Sequence, residues 1–408
     1  MNLRRQAAAV AVALLAFTSI AGAQDTPEAE PSAFLQMLAH IPDTADIRAS
    51  IPVVSFADYH AALEARGIAI PTDWAAMEAA NPRLVLFSLP PAGPSNLLQY
   101  LMVGGAEYQT LLGFEFFDIA QAAEIGTPPP FGYILHGEID PVAVTAAYEA
   151  RGYTVDTTPS GVLLCPPAGC DEGFRLNLSE RNPANPFGGN LGRSELSFVA
   201  EDVLFNSPDD QLIAVMTATV SSDTPALADA PEFQALDAAL AGYPFVSAVI
   251  AVTPATLIDF DVINFATGDL LEQIETTMAE NPLPPYLLAS FASASTTDAE
   301  LGLALFVYPD AESATAAAAA IDARMALPSN RLPVPYAEVY GDVGTLEAAR
   351  VFTDEATGLS VVILQITSEI PAIEGEDGRP VMSHRPFQRI IQGIYARDAL
   401  WLVADRPE

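Results

Sequence analysis

The sequence predicts an α+β fold made of two diverged modules, each with a β-α-β-β unit, in which mainly antiparallel sheets carry helices on one face. Two observations support this. The first is a recurring order of strand, aspartate and helix at a fixed spacing, with Gly132 and Gly302, and Asp140 and Asp310, each 170 positions apart. The second is a pair of similar segments, Val199–Phe205 and Tyr395–Trp401, which align Ala200 with Ala396, Asp202 with Asp398 and Leu204 with Leu400. Chance is the competing explanation, because identities among Ala, Leu and Asp carry little weight and the element order is common. The modules are placed at residues 33–245 and 246–408.

The chain opens with Arg4 and Arg5, an apolar run from Ala7 to Phe17, and then Ala21-Gly22-Ala23. This is the charged, apolar and small-residue pattern of a secretory signal peptide. The run is shorter than the roughly 20 residues needed to span a bilayer. Residues 1–23 are therefore expected to be cleaved, and residues 24–32, which lack large apolar groups, to form a flexible leader. No Cys follows the cleavage point, so no lipid is expected there, and no later apolar run predicts a membrane span. The expected location is periplasmic or extracellular.

Half of the 408 residues are hydrophobic, ample for a core. The formal charge is −35, and loss of Arg4 and Arg5 makes it −37 because no acid precedes Asp25. Such a surface repels phosphate backbones, which argues against nucleic-acid partners. All 17 basic residues are Arg. Without Lys, Schiff-base chemistry, phosphate-loop NTPases and kinase-type sites are excluded.

In chain order, Ser55 with Asp58 three residues on reads as the cap of a helix through Tyr59, Ala62 and Leu63 that stops at Gly67. Thr72 or Asp73 caps a second helix carrying Trp74 and Met77. The segment from Gly132 to Ile139 is a strand, Asp140 a cap, and Pro141 suits the first turn of a helix closing at Arg151-Gly152. Strands follow at Tyr153–Asp156 and Gly161–Cys165. The second unit repeats this with a strand at Gly302–Pro309, the cap Asp310, a helix to Met325, and strands at Ala348–Phe352 and Leu359–Ile366. The segments around Asp202 and Asp398 read as hairpins.

Cys165 and Cys170, the only cysteines, flank Pro-Pro-Ala-Gly in a chain predicted to reach an oxidising compartment. A local disulfide is expected. The alternative is a zinc site with His136-Gly-Glu138 upstream, but the cysteine spacing is wrong for it. Beyond the pair lies a loop of turn formers, Asn182 to Arg193, in which Phe187 is an isolated aromatic.

The combination G-C-D-x-G, at Gly169 to Gly173, followed by N-P-F-G-G-x-L-G-R, at Asn185 to Arg193, resembles a family of uncharacterised exported bacterial proteins and lipoproteins. The resemblance extends over residues 33–245. It implies shared compartment and fold and assigns no catalytic residue. Unlike the lipoprotein members, this chain lacks an anchoring Cys, so the resemblance implies a free protein.

Nucleophile-elbow, zinc-protease and calcium-loop motifs are absent from the sequence. No catalytic, cofactor-binding or metal residue is assigned, and no cofactor is expected. His136 is expected to be a satisfied strand histidine; His40, His60 and His384 lie near helix ends without a partner at motif spacing. Asp209-Asp210 and the group Glu374, Glu376, Asp377 could hold a cation weakly, though solvated surface is the simpler reading. Residues 379–408 carry five Arg against three acids. Phe387, Ile390, Ile391, Ile394 and Tyr395 form a helical stripe that either meets a partner or membrane or docks on the core, and docking is favoured by the strand-like Ala399–Ala404 that follows.

Two function classes remain. The favoured one is a non-enzymatic extracytoplasmic module binding an unknown protein or small ligand, with Asn185, Phe187, Gly188, Gly189 and Arg193 as the contact loop. In the alternative reading of that loop, Phe187 plugs a gap over the sheet. The other class is a secreted hydrolase whose acid pair comes from distant segments. Free-thiol labelling of the denatured, unreduced chain is expected to find no reactive cysteine; two labelled cysteines per chain would overturn the bridge.

Overall fold

The computed structural model describes residues 31–404 except 127–130, 171–175, 188–191, 193–195, 222–223, 253–268, 297, 330, 333 and 371–383. Residues Ser32–Glu408 form one compact unit. In chain order its helices and strands are α1 (Ala33–Leu38), α2 (Ala45–Ser50), β1 (Val53–Asp58), α3 (Tyr59–Ala65), α4 (Trp74–Ala79), α5 (Pro82–Ser88), α6 (Ser95–Gly104), α7 (Tyr108–Leu112), β2 (Ile119–Gly126), β3 (Phe131–Gly137), α8 (Pro141–Ala150), β4 (Thr154–Thr158) and β5 (Gly161–Cys165). They continue with β6 (Leu196–Ala200), β7 (Val203–Ser207), α9 (Asp210–Ser221), α10 (Pro231–Leu240), β8 (Phe245–Ala251), α11 (Asp269–Glu280), β9 (Leu288–Ser295), β10 (Ala299–Tyr308), α12 (Ala311–Arg324), α13 (Tyr336–Gly341), β11 (Thr345–Leu346), β12 (Arg350–Thr353), β13 (Ser360–Glu369) and α14 (Arg385–Tyr395).

The fold is α+β. All strands join one 13-stranded sheet in the order β11-β13-β10-β9-β8-β1-β2-β3-β7-β6-β5-β4, with β12 also on β13. Every pairing is antiparallel. β1 pairs β8 with Phe56 opposite Ala248, so the sheet runs unbroken across the 245/246 boundary at which two modules were expected to meet.

Side chains alternate between the two faces, as a pleated strand requires. Val54, Phe56, Leu303 and Leu305 point to one face, where Phe34 of α1, Met216 of α9 and Phe233 and Leu236 of α10 cover them. The opposite face carries α3 to α8 over Ala57, Ala122, Tyr133 and Leu135. The same face carries α11 to α14 over Phe291, Ala304, Phe306 and Leu364. The helices α8 and α12 thus share a face, and α1, α9 and α10 cover the other.

Aspartate caps set the helix starts. Asp140 accepts from Val142 N at 2.9 Å and Asp310 from Ser313 N at 2.7 Å, each satisfying an end donor that the helix leaves unpaired. Asp73 caps α4 in the same way. Ser55 does not cap: it lies inside β1, and Asp58 at the strand end caps α3 by accepting from Ala61 N at 2.8 Å.

The two units share strand, cap and helix but place their next strands differently. In the first, β4 and β5 follow α8 to the sheet edge and β7 pairs with β3; in the second, β13 pairs directly with β10. The hairpin β6–β7 therefore occupies the place of β12–β13, and β4–β5 is additional. The expected hairpin at 199–205 forms, with Glu201 at φ 43° in its turn. The one expected at 395–401 does not, because α14 runs to Tyr395 and a 3-10 turn spans Leu400–Leu402. The strand expected at 399–404 is likewise replaced by that turn, whose Trp401 is fully buried beside Phe306 and Tyr340.

α14 docks on the core. Its Phe387 and Ile390 are buried, and it lies so close to β10 that a Cβ on Gly302 would sit 2.5 Å from the Pro386 carbonyl carbon. Glycine at 302 is thus required by close approach rather than by backbone dihedrals. Arg324, at the end of α12, is fully buried. Its Nε donates to Asn281 O at 2.9 Å and a terminal nitrogen donates to Val403 O at 2.6 Å, fixing the tail against the loop before β9.

His384 ties the two halves of the sheet's outer layer. Its Nε2–H donates to Leu89 O at 3.0 Å and its Nδ1 accepts from the Ser293 hydroxyl at 3.2 Å, the pattern of a neutral imidazole. Burial lowers its pKa from 6.5 to about 4; the Leu89 bond opposes this and the Arg66 charge adds to it. An unfolded chain therefore binds a proton at His384 between pH 6.5 and 4 that the folded chain refuses, so this stability is present above pH 6.5 and lost as pH falls toward 4. The full shift corresponds to about 3 kcal/mol. Denaturant melts of wild type and His384→Gln at pH 7 and pH 4 are expected to show the wild type losing more stability than the variant by about that amount; equal losses would show that the histidine does not titrate in this way.

Candidate functional site

A cavity of about 210 Å³ lies where the start of α1, the end of β1, α10 and the start of β8 meet. Its walls include Phe34, Phe56, Tyr243 and Phe245, and two carboxylates, Asp58 and Asp237, face into it. The rings hold one another: Phe34 meets Phe56 edge-on at 5.6 Å and Phe245 edge-on at 5.9 Å, while Phe56 and Phe245 stack at 5.5 Å. The first two come from segments separated from the last by nearly the whole first half of the chain, and the β1–β8 pairing brings them together.

Asp58 is 8% exposed, and its two oxygens accept from Ala61 N and, at 3.2 Å, from the Gln121 amide. Burial holds its carboxyl above the usual range, with both hydrogen bonds acting against that shift. Asp237 accepts from the Ser32 hydroxyl at 2.6 Å and is also raised by burial. Among the described residues neither carboxylate touches an arginine.

A polar row runs from Asp58 along the same end of the sheet. Gln121 donates to Asp58, and its amide oxygen faces His136 Nδ1 at 2.9 Å. His136 Nε2 faces Asp202 at 2.8 Å. Both ring nitrogens lie within hydrogen-bond distance of a side-chain oxygen. His136 is thus a satisfied strand histidine, as expected. His40 lies nearby, edge-on to Phe205, and its pKa is lowered to about 4, chiefly by burial and then by His136.

A second cavity, also of about 210 Å³, lies between α13 and α14 and includes Arg331, Tyr336, Tyr340, Arg389 and Asp398. Asp398 accepts from Ser329 Oγ at 2.5 Å and Tyr336 OH at 2.7 Å, and the Tyr336 hydroxyl also accepts from Leu400 N at 3.2 Å. Its carboxylate anchors the tail, a structural duty.

Of the contact loop, Gly188, Gly189 and Arg193 lie outside the described residues. Phe187 is 3% exposed and packs on Tyr133 at 5.7 Å, so it is core and not an exposed anchor. Asn185 turns the chain by accepting from Phe187 N at 3.0 Å. Ala184 lies against Gly104, where an added Cβ would come within 2.6 Å of it. The plug reading therefore describes Phe187, and the contact reading of that side chain is corrected by its burial.

Cys165 and Cys170 lie at disulfide distance, with Cα atoms 4.8 Å apart. His136 is engaged elsewhere, and among the described residues no group of three or more His, Cys, Asp or Glu is arranged to hold a metal. Asp209 accepts from Gln211 N and Leu212 N at the start of α9. Glu374, Glu376 and Asp377 lie outside the described residues. His60 faces Phe117 O at 2.8 Å. Among the described residues no helix is long and apolar enough to cross a membrane.

The sequence reading missed the cavity. Its faint signal is an aromatic two residues from an acid or a second aromatic at a strand end, as in Phe56-Ala-Asp58 and Tyr243-Pro-Phe245. Phe187→Ala is expected to lower unfolding free energy by about 3–5 kcal/mol; a urea-melt change below about 1 kcal/mol would show that the loop floats over the sheet.

The chain matches no family model and no curated protein. Among solved structures, crystal form III of TP0453 aligns with a TM-score of 0.35 and 8% identity, over 81% of this chain and 93% of that one. Crystal form I of TP0453 aligns at 0.34 and 9%, over 81% and 92%. At these TM-scores the likeness supports no inference about this chain.

Proposed function

We propose that the chain is an exported, non-enzymatic ligand-binding module whose ligand enters the cavity beneath α1. The observation that carries this is the convergence of four aromatic rings and two desolvated carboxylates, from segments distant in sequence, on one small concavity. The lining contains no histidine, and its one serine hydroxyl is committed to Asp237 and the α1 cap. Preformed walls with static hydrogen bonds suit recognition better than proton transfer. Export rests on the Arg-then-apolar leader and the small residues after it.

A second reading, an acid-pair hydrolase, is favoured by one observation: the buried Asp58 and the half-buried Asp237 line the same cavity. Its weakness is that Asp58 has both oxygens occupied by a helix cap and an amide.

Native mass spectrometry of the protein recovered from its own culture decides between them. Wild type is expected to carry a small molecule that is released whole, and Ala241→Trp, at the exposed mouth, to emerge empty with its melting temperature unchanged. A cleaved molecule from wild type that Asp237→Asn leaves intact would point to hydrolysis. Empty wild type, or equal occupancy in the two proteins, would end the cavity reading.

A further inference from the structure

Elsewhere in the molecule the same set of groups already holds a cation. Arg48 is paired with Asp43, donates to Glu232 at 2.6 Å, and lies 5.8 Å from the centre of the Phe233 ring. Two carboxylates and an aromatic face thus fix one guanidinium, through charge and through the negative face of the ring. The carboxylates and the ring quadrupole act together, because a partly desolvated site screens neither.

The cavity beneath α1 brings the same kinds of group together. Asp58 and Asp237 supply the carboxylates, and Phe34, Phe56, Tyr243 and Phe245 the aromatic side chains. Among the described residues Asp58 and Asp237 make hydrogen bonds only to neutral donors: Ala61 N, the Gln121 amide and the Ser32 hydroxyl. The second oxygen of Asp237 has no partner among the described residues. Outside the cavity wall, Arg350 already lies 5.5 Å over the Tyr243 ring and donates to its hydroxyl, so this ring serves as a cation platform in the folded chain.

We propose that the cavity binds the cationic head of an organic ammonium compound, with the rings around its alkyl groups and the carboxylates facing its charge. The volume of about 210 Å³ admits such a head and little more, since sites for drug-sized molecules begin near about 300 Å³. The rest of the ligand would lie outside, past the exposed Ser32 and Ala241. A chain of formal charge −37 after loss of Arg4 and Arg5 raises the local concentration of any cation, and the rings then select an alkylated one over a hydrated metal ion. Binding should weaken as pH falls, because protonation of the two carboxylates removes the attraction; Glu64 and His60 are the other titratable groups near Asp58.

This inference rests on the ligand-binding reading, and the experiment separates the two. Choline and its neutral isostere 3,3-dimethyl-1-butanol are titrated calorimetrically into the full chain at about 0.15 M NaCl, where general attraction is screened. Choline is expected to bind saturably and about tenfold more tightly than the isostere. Asp237→Asn should remove most of that preference, and Phe245→Leu should weaken both compounds while the fold persists. Asp58→Asn is the second charge variant; it keeps an amide oxygen able to cap α3. Equal affinity for the two compounds, with both weakened by Phe245→Leu, would overturn the cation inference and leave the binding reading standing. Absence of choline binding, or choline binding unchanged in both Asp variants, would also overturn it, whereas the fate of the binding reading is decided by occupancy of wild type and Ala241→Trp.

Discussion

The antiparallel pairing of β1 with β8 is the contact on which the rest of the molecule depends. It is the seam at which a meander from the first half of the chain meets one from the second, and it makes one sheet of two. Strands so placed are covered on both faces, and the flanking β9 is buried along its whole length, six of its eight residues being Ala or Ser. The seam also sets Phe56 beside Phe245, so the cavity is a by-product of how the halves join. The residues that build it have no reason to meet without that pairing.

Some of this was legible in the chain and some was not. Asp140 with Pro141 and Asp310 with its Ala-rich run announced two helices, because capping and propensity are local effects. The hairpin at Asp202 was legible for the same reason. Its supposed twin at Asp398 was not, since the Ala-Leu-Trp pattern there fills a hole under α13 and α14 and a buried tail needs no strand period. Ser55 looked like a cap because Asp58 stood three residues on, yet Asp58 was the cap and the preceding residues had a partner strand on either side. The cavity was invisible because Asp58 and Asp237 each pass for an ordinary helix acid until the sheet brings their surroundings together. Phe187 was half visible: an isolated ring among turn formers is either an exposed anchor or a plug, and only the position of Tyr133 decides.

The absence of lysine has a structural side. Arg324 reaches two carbonyls from one planar group, and Arg48 spans Asp43 and Glu232 over an aromatic ring. Arg151 lies 4.1 Å from the Tyr148 ring centre and 4.9 Å from that of Tyr153. These are uses for a flat, forked, weakly hydrated cation, and a compact ammonium serves none of them as well. In a chain so rich in acids, Arg324, Arg48 and Arg151 each hold several groups with one side chain.

Trp401 and the carbonyl of Val403 belong to the core under α12, and Arg324 waits for that carbonyl from a position some eighty residues earlier. A nascent chain emerging from the ribosome therefore cannot close this part of its interior until residues 401–403 are made. The seam adds to the delay, because β1 finds its second neighbour only after β8 has been synthesised. Such a chain can complete this packing only after strands from both halves of the sheet have been made.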